Sequence, residues 1–159
     1  MNFHRQLLAV AALSLLASAA SAKVLLGATR ANNFTFTASA TPVPLDGVGA
    51  TTLSFTAKKN GVYVLTYSAE CSADNGAATN VGWIDLDIQI NGVTVAPTVG
   101  TADAFCSPDG FAGSSGWVRP SITIPVNLVA GPNTVRILGN VFAPVTTGWL
   151  GDASLVIHD

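Results

Sequence analysis

Hydrophobic and polar residues alternate with a period of two along most of this chain, the pattern of strands with one face toward a core and one toward water. Phe34 and Phe36 alternate with threonines, and Leu53, Phe55 and Ala57 alternate with Thr52, Ser54 and Thr56. The clearest segment is 83–90, where Ile84, Leu86, Ile88 and Ile90 point one way and Trp83, Asp85, Asp87 and Gln89 the other. Helical spacing appears nowhere beyond residue 22. Further strands are predicted near 24–28, at 117–126, 134–142 and 149–158, giving eight or nine in all. Pro120 and Pro125 mark 117–126 as irregular or as an edge. Asn60-Gly61 predicts a hairpin between 51–57 and 62–70, and Asn91-Gly92 a second between 83–90 and 93–95. The natural solution is an all-β, two-sheet antiparallel jelly-roll β-sandwich.

Residues 1–22 read differently. Arg5 precedes the short apolar run Leu7 to Leu16, and Ala20-Ser21-Ala22 supplies small residues for cleavage, so 1–22 is predicted to be a signal peptide and 23–159 a single domain. The expected location is secreted, extracellular or periplasmic. No later stretch has the roughly 20 apolar residues of a membrane helix, so no membrane span is expected. Cys71 and Cys106 are then expected to form one disulfide, because thiols oxidise in exported chains. The segment from Pro97 to Gly116, rich in Gly, Ser, Asp and Pro, reads as a long loop held by that bond, with Phe105 and Phe111 either buried beneath it, which the disulfide favours, or offered to a partner.

Charge narrows the partners. Beyond the leader, six Lys and Arg stand against nine Asp and Glu, and Lys58-Lys59 is the only adjacent cationic pair, so nucleic acid is not expected as a partner. The only histidine left is His158, near the terminus, and neither a nucleophilic triad nor a zinc site can be assembled. The chain is therefore read as a binding protein and not an enzyme.

Trp83, Asp85, Asp87 and Gln89 place an indole beside two carboxylates and an amide, the parts with which proteins bind sugars. The plainer reading is a solvated sheet face. A glycosidase would also pair two carboxylates, but an open face lacks the cleft that raises the pKa of one of them, so hydrolysis is not expected. Trp117 and Trp149 stand at strand starts, where they either close the core or line a binding rim. Asp74, Asp103, Asp109 and Asp152 lie in or near loops, and calcium at Asp103, Asp109 and Asp152 is an expectation without the spacing of a twelve-residue calcium loop. The sequon Asn33-Phe34-Thr35 reads as a strand entry.

The runs 55–67, with Gly61-Val62-Tyr63, 88–92, ending in Asn91-Gly92, and 128–137, with Leu128-Val129-Ala130-Gly131-Pro132-Asn133-Thr134, resemble non-catalytic carbohydrate-binding modules with a jelly-roll sandwich. Leu150-Gly151-Asp152 matches their last strand, where the resemblance implies an Asp near the ligand or an ion. The same features resemble the tumour necrosis factor and complement globular-head superfamily, which implies a homo-oligomer, a trimer, and recognition of protein surfaces. The Glu-rich first strand of the former is absent between Lys23 and Phe36, and the aromatic-rich last strand of the latter is reduced to Trp149. The resulting expectation is a secreted recognition module for an extracellular glycan, with a self-assembling surface or matrix protein as the alternative.

Overall fold

The computed structural model describes residues 22–74, 81–96, 103–110 and 116–159; the signal-peptide reading of 1–22 lies, apart from Ala22, outside them. The described residues hold ten strands: β1 (Val24–Arg30), β2 (Phe34–Phe36), β3 (Thr41–Pro42), β4 (Thr52–Ala57), β5 (Gly61–Asp74), β6 (Trp83–Ile90), β7 (Val93–Ala96), β8 (Ser121–Leu128), β9 (Gly131–Phe142) and β10 (Thr147–His158). The first sheet has the order β1-β10-β5-β8, with β2 also on β10; the second has β3-β9-β6-β7, with β4 also on β9. From β5 onward, every strand but β7 lies in the opposite sheet from its predecessor, the wrapped order of a jelly roll. No helix among the described residues is long and apolar enough to cross a membrane.

Alternation sorts side chains as expected. Leu65 and Tyr67 of β5, Leu86 and Ile88 of β6, Ile137 of β9 and Leu155 and Ile157 of β10 meet in one buried core. The two turn predictions part company. Asn91 (φ 52°) and Gly92 (φ 80°) are both left-handed, as a two-residue hairpin turn requires, and β6 pairs with β7 through Ile90 and Val93. Neither Asn60 nor Gly61 has positive φ, and the predicted first hairpin does not form: β4 pairs with β9, and β5 with β10 and β8. The chain instead crosses from one sheet to the other there. Asn60 Oδ1 accepts from Ala130 N at 2.7 Å, tying this crossing to the β8–β9 turn. The strand predicted at 117–126 begins later, at Ser121, and is an edge as its prolines require.

Two further contacts join the sheets. Cys71 of β5 is bonded to Cys106, as expected. Cys106 in turn shares backbone hydrogen bonds with Ile84 of β6, so the 103–106 segment lies along the β6 edge beyond the end of β7 while its sulfur reaches the first sheet. Phe105 is buried, with its ring 6.1 Å from that of Tyr67, and Phe111 lies outside the described residues. At another point Phe36 is wedged between Gly139 of β9 and Gly148 of β10, so closely that a Cβ on Gly148 would stand 2.7 Å from the ring. Neither glycine has positive φ, so space and not backbone conformation demands them. Gly148→Ala is expected to lower stability by about 1–3 kcal/mol through overpacking, read as a lower urea midpoint; an unchanged midpoint would show that Phe36 has room to retreat.

Candidate functional site

The outer face of the second sheet is built where β6 and β9 run side by side. Their register pairs Trp83 with Phe142, Asp85 with Asn140, Asp87 with Leu138 and Gln89 with Arg136. Trp83, Asp85, Asp87 and Gln89 therefore share one face, as the alternation requires. The β9 partners come from the same rule: Arg136, Leu138, Asn140 and Phe142 alternate with the inward Val135, Ile137 and Gly139. The Trp83 and Phe142 rings stack, with centroids 5.1 Å apart and planes 18° from parallel, and both are half-buried. Next to them Asn140 Nδ2 donates to Asp87 Oδ2 at 3.0 Å, and Asn140 Oδ1 accepts from Ala40 N at 2.7 Å. This amide is fixed in both position and orientation. Trp83 Nε1 and Arg136 Nε are buried without a hydrogen-bond partner among the described residues.

One expectation about this face is corrected. It is not open at Asp85, whose exposure is only 6%. The turn before β3, held by Ala40, flanks the row on one side and the 103–106 segment flanks it on the other. Burial pushes the Asp85 carboxyl up to about 6, and repulsion from Asp87 and Asp103 adds to it; the Leu86 N–H, 2.7 Å away, and Asn140 pull it back. The two carboxylates thus have different surroundings, a distinction that an open sheet face was not expected to make.

The two other tryptophans lie elsewhere. Trp149 projects half-buried from the outer face of the first sheet, where β10 pairs it with Ser72 and with Thr35. Trp117 is 44% exposed, and the pairing of Val118 with Cys71 sets it opposite Ser72 from the other side. Neither closes the core, because both fall on outward positions of their ladders. Ser72 Oγ beneath them is buried without a partner among the described residues. Trp83 and the Trp117–Trp149 pair thus occupy opposite outer faces of the sandwich and do not form one groove.

The proposed calcium ligands are also dispersed. Asp109 accepts from Gly116 N, Asp152 is exposed with its carbonyl receiving Arg119 Nη2, and Asp103 lies near Asp85. Among the described residues no group of three or more His, Cys, Asp or Glu converges to hold a metal ion. The Asp74 carbonyl accepts from Thr146.

No protein-family model matches the chain, and no curated protein matches it. Solved structures with some similarity include dimeric latent PorU from Porphyromonas gingivalis, at 15% identity and a TM-score of 0.39 over 88% of this chain and 14% of that one. An infectious bursal disease virus structure, Gt strain, gives 18% and 0.35 over 87% of this chain and 33% of that one. The exo-β-1,3-galactanase of Phanerochaete chrysosporium gives 15% and 0.30 over 82% and 27%. The chain thus spans a third or less of each.

A carboxyl raised in the folded state binds its proton more tightly there than in the unfolded chain, so its contribution favours folding below the ordinary Asp range and is lost as pH rises. With Asp85 moving from 3.8 to about 6, stability is expected to fall between these values as pH increases. Asp85→Asn is expected to remove this slope and, near neutral pH, to raise stability by on the order of 1–2 kcal/mol, allowing for residual solvent screening. Urea denaturation of both proteins across the acid range checks it; parallel curves would contradict the burial of this charge.

Proposed function

We propose that the protein is an exported, non-catalytic recognition module and that the outer face of its second sheet binds an extracellular glycan. The observation that carries this reading is the in-register row in which the Trp83–Phe142 stack is followed by Asp85, Asn140 and Asp87. Stacked, half-exposed rings suit the apolar face of a sugar, and the adjoining carboxylates and amide suit its hydroxyls. Export is supported by the oxidised Cys71–Cys106 pair together with the apolar leader.

A second reading, self-association, is favoured by the outer face of the first sheet. There Val24, His158, Val64 and Pro125 form one row, and Gly27, Val156, Thr66 and Thr123 the next. Neither row carries Lys, Arg, Asp or Glu, and Val24 is 58% exposed. Sedimentation equilibrium separates the readings: a stable trimer supports assembly, and a monomer disfavours it.

A glycan array followed by titration of intrinsic tryptophan fluorescence tests the main reading. The expected outcome is binding that weakens about tenfold or more in Trp83→Ala, the loss of roughly 1.4 kcal/mol or more of ring contact, and again in Asp87→Asn. No binding across neutral and acidic polysaccharides, with unchanged fluorescence, would remove it. Hydrolysis that disappears in Asp85→Asn or Asp87→Asn would instead make the row catalytic.

A further inference from the structure

Arg30 ends β1 with its guanidinium turned under the β1–β2 connection, and its exposure is only 4%. Nε donates to Pro44 O at 3.0 Å, Nη2 to Leu150 O at 3.1 Å, and Nη1 to Asn32 O. All three acceptors are uncharged carbonyls. Three of the five guanidinium N–H groups are thereby used, and the positive charge is neutralised by no ion pair among these partners. Nearby, the buried Tyr67 hydroxyl is pushed up to about 12 by burial, against smaller opposing pulls from the Arg30 charge and from the Arg30 side chain acting as a hydrogen-bond donor toward it.

This cation is not sealed in the core. It lines an open cavity of about 260 Å³ at one end of the sandwich, bounded by the β1–β2 connection and by the 44–49 segment. Phe34 forms part of the wall, with its ring centroid 6.0 Å from the guanidinium carbon, and the exposed Asn32 and Asn33 stand at the rim. Asp46 also lines the cavity. Its Oδ1 accepts from Val48 N and Ala50 N at 3.1 and 2.8 Å, so that oxygen is committed to folding its own loop.

We propose that this cavity is a second binding site, specific for a sugar residue that carries a carboxylate. The acid group would meet the Arg30 guanidinium where it lines the cavity, a cation whose donors suit a carboxylate. The sugar's apolar face would lie on Phe34 and its hydroxyls would reach Asn32 and Asn33. This inference rests on the reading of the chain as a glycan-recognition module, but it uses none of the residues of the Trp83 row, which lies on another surface. Its ligand is also narrower, because only an acidic sugar brings a carboxylate to the Arg30 guanidinium.

Isothermal titration with tri-galacturonate, with its fully methyl-esterified form and with a glucuronate-containing disaccharide tests the site. Binding of the acids is expected, with the ester at least tenfold weaker. Because Arg30 holds three segments together, the variants are placed around it. Asn32→Asp, which adds a negative charge at the rim, is expected to weaken the acids at least tenfold and to leave the ester nearly unchanged. Phe34→Leu, which preserves apolar volume but not the flat ring, is expected to weaken both. Trp83→Ala is expected to change neither. Equal affinity for acid and ester, indifference to Asn32→Asp, or no heat from either acid at millimolar concentration would overturn the inference. Acid binding that is lost in Trp83→Ala and kept in Phe34→Leu would also overturn it, while leaving the sheet-face reading intact. Acid binding that depends on Phe34 and not on Trp83 supports the inference and leaves the sheet-face reading to its own test.

Discussion

The constraint on which the candidate site depends is the cross-link between Cys71 and Cys106. Cys71 sits in the middle of the first sheet, while the backbone of Cys106 is hydrogen-bonded to Ile84 at the edge of the second. One covalent bond therefore fixes where a loop-derived segment lies on β6. Without it, 103–106 would lose its covalent tie and oppose the entropy of its connection with non-covalent contacts, the backbone hydrogen bonds to Ile84 and the buried Phe105 ring among them. Held there, it sets Asp103 near Asp85 and closes one side of the row that begins with Trp83 and Phe142. The other side is closed by a plain hydrogen bond, from Ala40 N to Asn140.

How much of this was legible depended on how far apart in the chain the cause and the effect lay. The facing of β6 could be read at once, because a period-two pattern determines which side chains share a face whatever the neighbouring strand is. The turn at Asn91-Gly92 was equally local. By the same rule Asn60-Gly61 looked like a hairpin, but alternation is silent on which sheet a strand joins, and Leu53–Ala57 and Tyr63–Tyr67 each present a good inward face. They meet across the core instead of side by side. The dinucleotide was the right turn chemistry in the wrong topology.

The site itself was half legible. Trp83, Asp85, Asp87 and Gln89 were visible as a set, whereas Asn140 and Phe142 were recognisable only as outward residues of another strand, because nothing local specifies that β9 registers Asn140 against Asp85. The burial of Asp85 was hidden for the same reason: its covers come from residues near 40 and 103–106. Trp117 and Trp149 invited grouping with Trp83 by type, and only the assignment of their strands to the other sheet separates them. Arg30, a lone cation at a strand end, carried no sequence signal at all. Its interest comes from three carbonyls, two of them contributed by other segments, and from the cavity beside it.

These points make one account: a jelly roll provides rigid faces, and a covalent clamp plus one amide hydrogen bond turn part of one face into a partly desolvated polar row. The most direct test is carbon-detected NMR titration of the Asp85 carboxyl in the oxidised protein and in a folded Cys71→Ala, Cys106→Ala variant. If the clamp holds the 103–106 segment over this face, the Asp85 midpoint moves from about 6 down toward the ordinary carboxylate range when the cysteines are removed. A midpoint that stays near 6 in the folded, unclamped protein would contradict the account.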